Sequence, residues 1–403
     1  MNLTGRVANG RCLVCGSTEA ARFLEIVQAP VHCNLLYASR DEALGAARGD
    51  IDLAFCTSCG HIYNRAFAPG LMQYDGRYEN SLHFSPRFRI YAGELAARLV
   101  ERYDLHGKDI VEIGCGDGEF LTLLCRLGGN RGLGLDPGYR GRAADETGAG
   151  RVTFVRDYYS ERYARSRADL ICCRHTLEHV YAPAEFLATL RSGRDDSART
   201  AIFFEVPNAP FMMRNLAVWD IIYEHCSYFG SHSLTQLFSR CGFDVHDVWE
   251  AFEGQFLCIE AQQGQGVVTS PGGDEDLERL ARDVKVFAEG YRSKVEAWRR
   301  EVHRIGRAGC RAVVWGAGSK GVSFLNTLDV RDGIEYVVDI NPRKHGMHVA
   351  GTGQRIVAPE FLRDYQPNVV IVMNPIYEGE IRERTTDLGL TVDLLSVWGE
   401  MHS

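Results

Sequence analysis

Two segments in which an apolar strand leads through a glycine-rich turn into a helix constrain the fold more than any other feature of the sequence. They read "VEIGCGDGEF" at 111–120 and "VVWGAGSKG" at 313–321. Glycine lets a turn backbone approach a ligand closely, and the helix that follows offers free N–H groups at its amino end. After each turn, strands rich in Val, Ile and Phe alternate with helical segments, which is typical of parallel, doubly wound sheets. The sequence therefore predicts an α/β protein with two such sheets.

Length and composition indicate a globular protein of more than one domain. A chain of 403 residues has room for two or three domains, and 45% hydrophobic with 24% charged residues is an ordinary balance. The net charge of −8, with no basic stripe, argues against nucleic acid as a main partner. No run of 18 apolar residues occurs, and "MNLTGRVANG" lacks a signal-peptide core. We therefore expect a cytoplasmic protein with no membrane partner, and the sequence leaves its oligomeric state open.

The cysteines predict a metal site near the amino terminus. Thirteen cysteines are many for a reducing compartment, where disulfides are uncommon. Four of them form two Cys-x2-Cys pairs, each followed by glycine, and two such turns complete a tetrahedral sulfur site for Zn2+. The four predicted ligands are Cys12, Cys15, Cys56 and Cys59. A site of four sulfurs is closed and therefore structural, and we interpret the nearby Cys33 and His61 as bystanders.

The pattern changes along the chain and divides it into four parts. Apolar residues recur at steps of three and four from Leu277 to Ile305, which predicts a long helix after the glycine-rich linker at 262–276. The predicted parts are a zinc-binding module at 1–75, a doubly wound core at 76–265, the linker and long helix at 266–308, and a Rossmann-like α/β domain at 309–403.

The first glycine turn carries the signs of a cofactor site. Asp136 ends the second strand of the core, where a carboxylate can hold a ribose diol, and Asp157 ends the third, where it can receive an adenine amino group. Acidic residues flank the glycines, which suits a ligand with a sulfonium and an ammonium better than a pyrophosphate. We place His175, after the fourth strand, near the cofactor, whereas Glu178 and His179 are given less weight, with a solvent-facing helix start as their alternative. The predicted cofactor-binding residues are Glu112, Gly114, Gly116, Gly118, Asp136, Asp157 and His175.

The region from 108 to about 210 resembles the class I S-adenosylmethionine-dependent methyltransferases in strand order and motif placement. Nearly the whole chain is similar to the sugar C-methyltransferases of antibiotic deoxysugar pathways, whose signature reads Tyr-His-Glu-His-x-Ser-Tyr-Phe. Here "IIYEHCSYF" supplies Glu224, His225, Ser227, Tyr228 and Phe229 in register. The resemblance implies S-adenosylmethionine as cofactor and a nucleotide-activated 4-keto-deoxysugar as substrate.

Methylation of carbon requires a carbanion, which a carbon next to a ketone can supply if its enolate is stabilised. His225 has the pKa range of a suitable base, and Glu224 would orient the imidazole or bind a sugar hydroxyl. Tyr223 stands where the family has its first histidine, so it either reaches the site from a shifted position or lacks the role. Tyr223 or Tyr228 would donate to the enolate oxygen. The alternatives are an O- or N-methyltransferase and a non-catalytic zinc-stabilised binding protein.

Two further segments are candidate walls of the site. Tyr74 and Tyr78 are four apart and would share a face on a helix, and the resemblance suggests that one of them caps the active-site cleft. In the second glycine turn, Gly318 and Lys320 would hold a substrate phosphate. The same turn also fits Gly-x-Gly-x-x-Gly, with Asp339 at the end of the next strand, so an NAD site is the alternative.

Overall fold

The structure is a computed structural model that describes residues 10–72, 74, 76–141, 144–147, 150–192, 200–268, 274–331 and 333–398. Its strands are β1 (Ala20–Pro30), β2 (Arg48–Cys56), β3 (Ile62–Asn64), β4 (Asp109–Ile113), β5 (Arg131–Leu135), β6 (Ala144–Thr147), β7 (Gly150–Val155), β8 (Leu170–Arg174), β9 (Ala201–Pro207), β10 (Ser227–Tyr228), β11 (Phe243–Ala251), β12 (Phe256–Gln263), β13 (Ala312–Trp315), β14 (Tyr336–Val338), β15 (Arg355–Val357), β16 (Val369–Val372) and β17 (Asp393–Ser396). Its α-helices are α1 (Arg40–Leu44), α2 (Pro86–Arg102), α3 (Glu119–Gly128), α4 (Glu161–Ala164), α5 (Pro183–Ser192), α6 (Ala209–Arg214), α7 (Ser231–Arg240), α8 (Asp274–Arg307), α9 (Ser319–Leu328), α10 (Leu362–Tyr365) and α11 (Glu378–Asp387).

The central sheet confirms the predicted doubly wound core. Within the described ranges its strand order is β11-β12-β9-β8-β4-β5-β7-β6, with β4 parallel to both β5 and β8, and β12 antiparallel to β9. Parallel strands buried on both faces need continuous apolar sequence, and β8 and β9 are buried over almost their full length. Successive strands are therefore added on opposite sides of β4, and the first glycine turn lies at that switch point.

The carboxyl-terminal sheet repeats this arrangement on a smaller scale. Its strands are parallel in the order β15-β14-β13-β16-β17, so the switch point lies between β13 and β16. The second glycine turn follows β13 directly and leads into α9. Both glycine turns thus occupy the position at which open α/β sheets bind ligands.

The long helix α8 confirms the apolar stripe read from the sequence. It runs for 34 residues, and the stripe is buried at Leu280, Phe287, Trp298 and Ile305. The Trp298 ring meets Phe324 of α9 edge-on at 5.4 Å between ring centroids, so the stripe packs on the carboxyl-terminal domain. Residues 269–273 of the predicted linker lie outside the described ranges.

A small sheet near the amino terminus draws in a strand from the far side of the core. Its order is β1-β2-β3-β10, all antiparallel, and Ser227 and Tyr228 of β10 pair with Tyr63 and Ile62. The chain leaving β9 therefore crosses to the amino-terminal sheet before α7 begins, so the segment around His225 joins that sheet to the core. In the part of the chain that the structure describes, no helix is long and apolar enough to cross a membrane.

Candidate active site

The turn after β4 can be made only with glycine at two of its positions. Gly114 and Gly118 have φ of +70° and +84°, a region that other residues rarely adopt. A Cβ atom would lie 2.0 Å from Thr176 Oγ1 at Gly114 and 2.3 Å from the Phe154 ring at Gly118. At Gly116 a Cβ would meet nothing within 4 Å, so the turn is packed from behind and open toward the cavity. These residues fit a cofactor that approaches the backbone closely.

Asp136 is placed as predicted and also shapes the turn. Its Oδ2 accepts the Gly116 N–H at 2.9 Å, and its Oδ1 accepts the Gly138 N–H at 2.7 Å. The residue lines the cavity, as does Asp157, whose Oδ2 accepts the Tyr163 hydroxyl at 2.7 Å. Both carboxylates thus stand at the carboxyl ends of neighbouring strands, where a ribose and an adenine would be reached together.

Glu112 and His175 have structural partners within this region. Glu112 is 3% exposed, its Oε2 accepts the Leu121 N–H at 3.1 Å, and burial raises its pKa to about 8. It therefore fastens β4 to α3 from beneath the turn. His175 has φ of +49°, and its Nε2 lies 2.9 Å from Oε1 of the buried Glu205. Both residues line the cavity and stay predicted cofactor neighbours.

Asp136→Ala is expected to weaken S-adenosylhomocysteine binding about tenfold or more, which corresponds to about 1.4 kcal/mol. The substitution removes the ribose acceptor and the two hydrogen bonds that hold the turn. Isothermal titration calorimetry measures the affinity, with the exposed Asp364→Ala of the carboxyl-terminal domain as control. Equal affinities in the two variants would show that Asp136 has no part in cofactor binding.

One cavity of about 1390 Å³ joins the two glycine turns. Its wall includes Gly116 and Asp136 on the core side, and Gly318 and Lys320 on the side of the carboxyl-terminal domain. A site for one drug-sized ligand usually occupies about 300–1,000 Å³, so this cavity has room for a cofactor and a second molecule.

Two histidines and a tyrosine meet on the wall of this cavity. The rings of His225 and His179 lie edge to face with centroids 4.9 Å apart. His179 Nδ1 is 3.0 Å from the Tyr74 hydroxyl and 3.1 Å from the Glu224 carbonyl oxygen. Burial lowers the pKa of His179 to about 4, and burial with neighbouring histidines lowers the pKa of His225 well below its usual value. Both imidazoles are therefore neutral at pH 7, and the lowered pKa makes His225 a weaker base than its sequence position predicts.

Glu224 is fully buried and does not line the cavity, and its carboxylate binds groups other than His225, so the expectation that it orients the imidazole or binds a sugar hydroxyl needs correction. Its Oε1 accepts the Cys33 N–H at 2.5 Å, and its Oε2 accepts the Tyr78 hydroxyl at 2.6 Å. Burial raises the pKa of Glu224 to about 7. Tyr78 and Tyr74 meet edge-on at 5.0 Å, and both line the cavity. Glu224 thus positions Tyr78 and the loop at Cys33.

Three expectations about tyrosines need correction. Tyr223 is 1% exposed, accepts the Ala68 N–H at 2.9 Å, stacks on Phe67 and does not line the cavity, where Ile222 does. Tyr223 lies in a turn that places its side chain against Phe67 and the Ala68 backbone, so the alternative in which it reaches the site is wrong. Tyr228 likewise lies outside the cavity wall, and its hydroxyl bonds the Ile222 backbone N–H and C=O at 3.1 Å. Finally, Tyr74 and Tyr78 do not lie on a helix, since Tyr78 forms a β-bridge with Leu35.

The second glycine turn lies against the segment that precedes His225, through the contact of Lys320 with Asp220. Lys320, in the first turn of α9, pairs with Asp220 and lines the cavity. Burial lowers the pKa of Lys320 to about 7. Gly318 stands at the amino end of α9. The residues predicted for a substrate phosphate therefore line the same cavity as the glycine turn after β4.

An ion-pair cluster that the sequence analysis missed joins the cofactor turn to the carboxyl-terminal domain. Arg343 pairs with Asp117 of the turn and lies 3.3 Å from Glu79 Oε2. Arg140 bridges the same two acids. Since the four residues are far apart in sequence and follow no motif, nothing local predicts that they meet.

The four predicted zinc ligands converge as expected. Their sulfur atoms all lie within 4.8 Å of one another, with Cys12 Sγ to Cys59 Sγ and Cys15 Sγ to Cys56 Sγ both 3.6 Å. Four thiols at such spacing fit a tetrahedral Zn2+ ion. His61 lies beside the cluster, with its Nδ1 3.6 Å from Cys12 Sγ. Cys33 instead donates its backbone N–H to Glu224 Oε1.

The fold and the site define a class I S-adenosylmethionine-dependent methyltransferase. Residues 86–248 match the family model described as a methyltransferase domain, and residues 274–390 match the C-methyltransferase C-terminal domain. The C-methyltransferase NovU of Streptomyces niveus is 26% identical over 389 residues, which cover 92% of this chain and 90% of NovU. The chain is thus similar to C-methyltransferases over most of its length, and it is an S-adenosylmethionine-dependent C-methyltransferase.

Solved structures similar to part of the chain are also methyltransferases. The 1,6-didemethyltoxoflavin-N1-methyltransferase of Burkholderia thailandensis is 16% identical with a TM-score of 0.34, and the match covers 44% of this chain and 81% of that one. The magnesium protoporphyrin IX methyltransferase of Synechocystis is 16% identical with a TM-score of 0.35, covering 44% and 84%. Both were solved with bound S-adenosylhomocysteine.

Proposed function

We propose that the protein methylates a carbon atom of a nucleotide-activated 4-keto-deoxysugar, with His225 removing the proton from the carbon next to the ketone. One observation carries the proposal. His225 and His179 line a single cavity whose wall also includes the glycine turn after β4 and the glycine turn after β13. A sugar bound in this cavity would lie within reach of the base.

The glycine turn after β13, at the amino end of α9, has the character of a diphosphate site. The amino end of α9 presents free N–H groups, and Lys320 and Lys344 stand beside it. Lys344 is 5% exposed, with its Nζ 3.6 Å from Asp339 Oδ2. A phosphate oxygen would share Lys320 with Asp220, its partner in the structure. These cations support a nucleotide-linked substrate, whereas binding of NAD at the same turn stays an untested alternative.

The side chains around His225 suit methyl transfer to carbon. The C–H bond breaks as a ring nitrogen of His225 takes the proton, and the electron pair delocalises onto the ketone oxygen as an enolate. S-adenosylmethionine, when bound, supplies an electrophilic methyl group for that carbon. The chain aligns the reactants and excludes water, with the hydroxyl of Tyr74 on the cavity wall as a candidate donor to the enolate oxygen.

Solvent deuterium is expected to enter the substrate at the carbon next to the ketone when the enzyme is incubated in D2O with S-adenosylhomocysteine in place of the methyl donor. Removal of this proton belongs to the carbon reaction alone, so a transfer to oxygen or nitrogen would leave that position unlabelled. NMR of 4-keto-deoxysugars linked to dTDP, GDP or UDP would measure the exchange, with the unlinked sugar as control for the nucleotide.

Two results would contradict the proposal. Methyl transfer without exchange would point to an oxygen or nitrogen acceptor. Equal turnover of the nucleotide-linked sugar and the free sugar would show that Lys320 and Lys344 have no role in substrate binding.

A further inference from the structure

A base buried in a cavity needs a group that compensates its charge once it is protonated. Placing a cation in a low-dielectric site costs several kcal/mol unless an anion or hydrogen-bond acceptor is close. Glu224 is next to His225 in sequence, but both of its oxygens are taken by the Cys33 N–H and the Tyr78 hydroxyl. The compensating group must therefore come from another element.

Glu178 is the carboxyl group that faces the histidine pair. It stands in the single turn Leu177–His179 that follows β8, and it is 2% exposed. Its Oε1 lies 4.0 Å from His179 Nε2. Within the described residues, its Oε2 has no hydrogen-bond partner, and neither does Nδ1 of His225.

These unpaired atoms belong to one cluster. Ligand-type atoms of Glu178, His179 and His225 all lie within 4.8 Å of one another. An unpaired buried polar atom costs about 1–3 kcal/mol, so two of them in one cluster indicate a partner acquired during the reaction. Catalytic hydrogen bonds are often long before substrate binds and shorten in the complex.

We propose that Glu178 is the positioning residue of the reaction, accepting a hydrogen bond from His225 Nδ1 and stabilising the imidazolium that forms when Nε2 takes the substrate proton. The inference rests on the proposed function and deepens it. The proton leaves carbon for Nε2, its electron pair becomes the enolate, and the Glu178 carboxylate balances the new charge. After methyl transfer to carbon, Nε2 returns the proton to solvent.

The electrostatics of the cluster give this arrangement a pH signature. Burial raises the pKa of Glu178 to about 8, whereas burial, His179 and His175 lower that of His225 well below 6.5. The other groups facing His225 are Tyr228 and, through His179, Tyr74. With Glu178 as charge partner, the rate rises with pH through about 8 as the carboxyl ionises. With His225 acting alone, the rate is flat above pH 6.5.

The test compares Glu178→Gln with Glu224→Gln and the unmodified protein. We expect Glu178→Gln to lower kcat at least about tenfold, to keep KM within about threefold and to lose the rate increase near pH 8. Glu224→Gln loses activity through Tyr78 but keeps that increase. Thermal unfolding and S-adenosylhomocysteine affinity, both unchanged in Glu178→Gln, show that the variant is folded.

A second readout needs no substrate. The His225 imidazole is titrated by NMR in protein labelled with 15N-histidine, with His225→Asn to assign the signal, and Glu178→Gln is expected to lower its pKa by about one unit or more. If no tested sugar is methylated but the His225 pKa still falls in Glu178→Gln, the result contradicts the proposed function and leaves the role of Glu178 standing. Methyl transfer with an unchanged pH profile and an unchanged His225 titration would overturn the role of Glu178. So would a second equivalent of bound metal that disappears in Glu178→Gln, since two imidazoles and a carboxylate could instead hold a divalent ion.

Discussion

His225→Ala is expected to lower methyl transfer by at least about 10³-fold, within the range that removal of a general base produces. The ring lies in the cavity beside His179, and no side chain placed there by the substitution can take the proton from carbon. S-adenosylhomocysteine affinity is expected to stay within about threefold, well under 1 kcal/mol. The affinity is preserved because the cofactor turn follows β4, whereas His225 lies on the segment that joins β9 to β10.

Radiolabelled methyl transfer measures the first quantity and calorimetry the second. His106→Ala, an exposed change just before β4, serves as the matched control. A His225→Ala protein that keeps more than about a tenth of its activity would assign the base to another group, with His179 as the next candidate. A large loss of cofactor affinity would instead show that His225 holds the cofactor.

Local patterns predicted the elements of the fold well. The glycines at 114, 116 and 118 all have positive φ, and the helix predicted from the apolar stripe at Leu277–Ile305 is α8 (Asp274–Arg307). A turn that only glycine can form and an apolar stripe of helical period are properties of a few neighbouring residues. Sequence alone is enough for such features.

Neighbouring residues in the sequence do not determine which side chains of the segment before His225 point into the cavity. Tyr223 was expected as a possible site residue, but Ile222 takes the cavity wall and Tyr223 the core. The orientation follows from the turn at Tyr223–Glu224 and from the pairing of Ser227–Tyr228 with β3, which together hold this segment against the amino-terminal sheet. Such pairing depends on a distant part of the chain.

The same limit explains why the sequence pattern favours His175 over Glu178 as a site residue. As part of "RHTLEHV" it reads equally as a solvent-facing helix start, and only its burial against His225 and His179 sets it apart. The pair of Arg343 with Asp117 likewise exists only because the carboxyl-terminal domain lies over the cofactor turn. Contacts between domains carry no periodicity in the sequence.

Loss of zinc is expected to disable the enzyme although no reacting atom touches the metal. The four cysteines fasten the loop before β1 to the turn after β2, and β2 leads through β3 to β10. Since His225 lies two residues before β10, unfolding of this sheet would displace the base. Cys56→Ala, which removes one ligand, is expected to lose the metal, to lower the melting temperature by on the order of 10 °C, and to reduce kcat/KM about 100-fold or more.

Cys310→Ser is the matched control, because Cys310 lies just before β13 in the other domain. Metal analysis is expected to find one zinc per chain in this control and in the unmodified protein, and none in Cys56→Ala. S-adenosylhomocysteine binding is expected to survive in Cys56→Ala within about tenfold, because the cofactor turn belongs to the central sheet. A zinc-free variant with an unchanged melting temperature and full turnover would show that the pairing of β10 with β3, and not the metal, is what holds His225 in place.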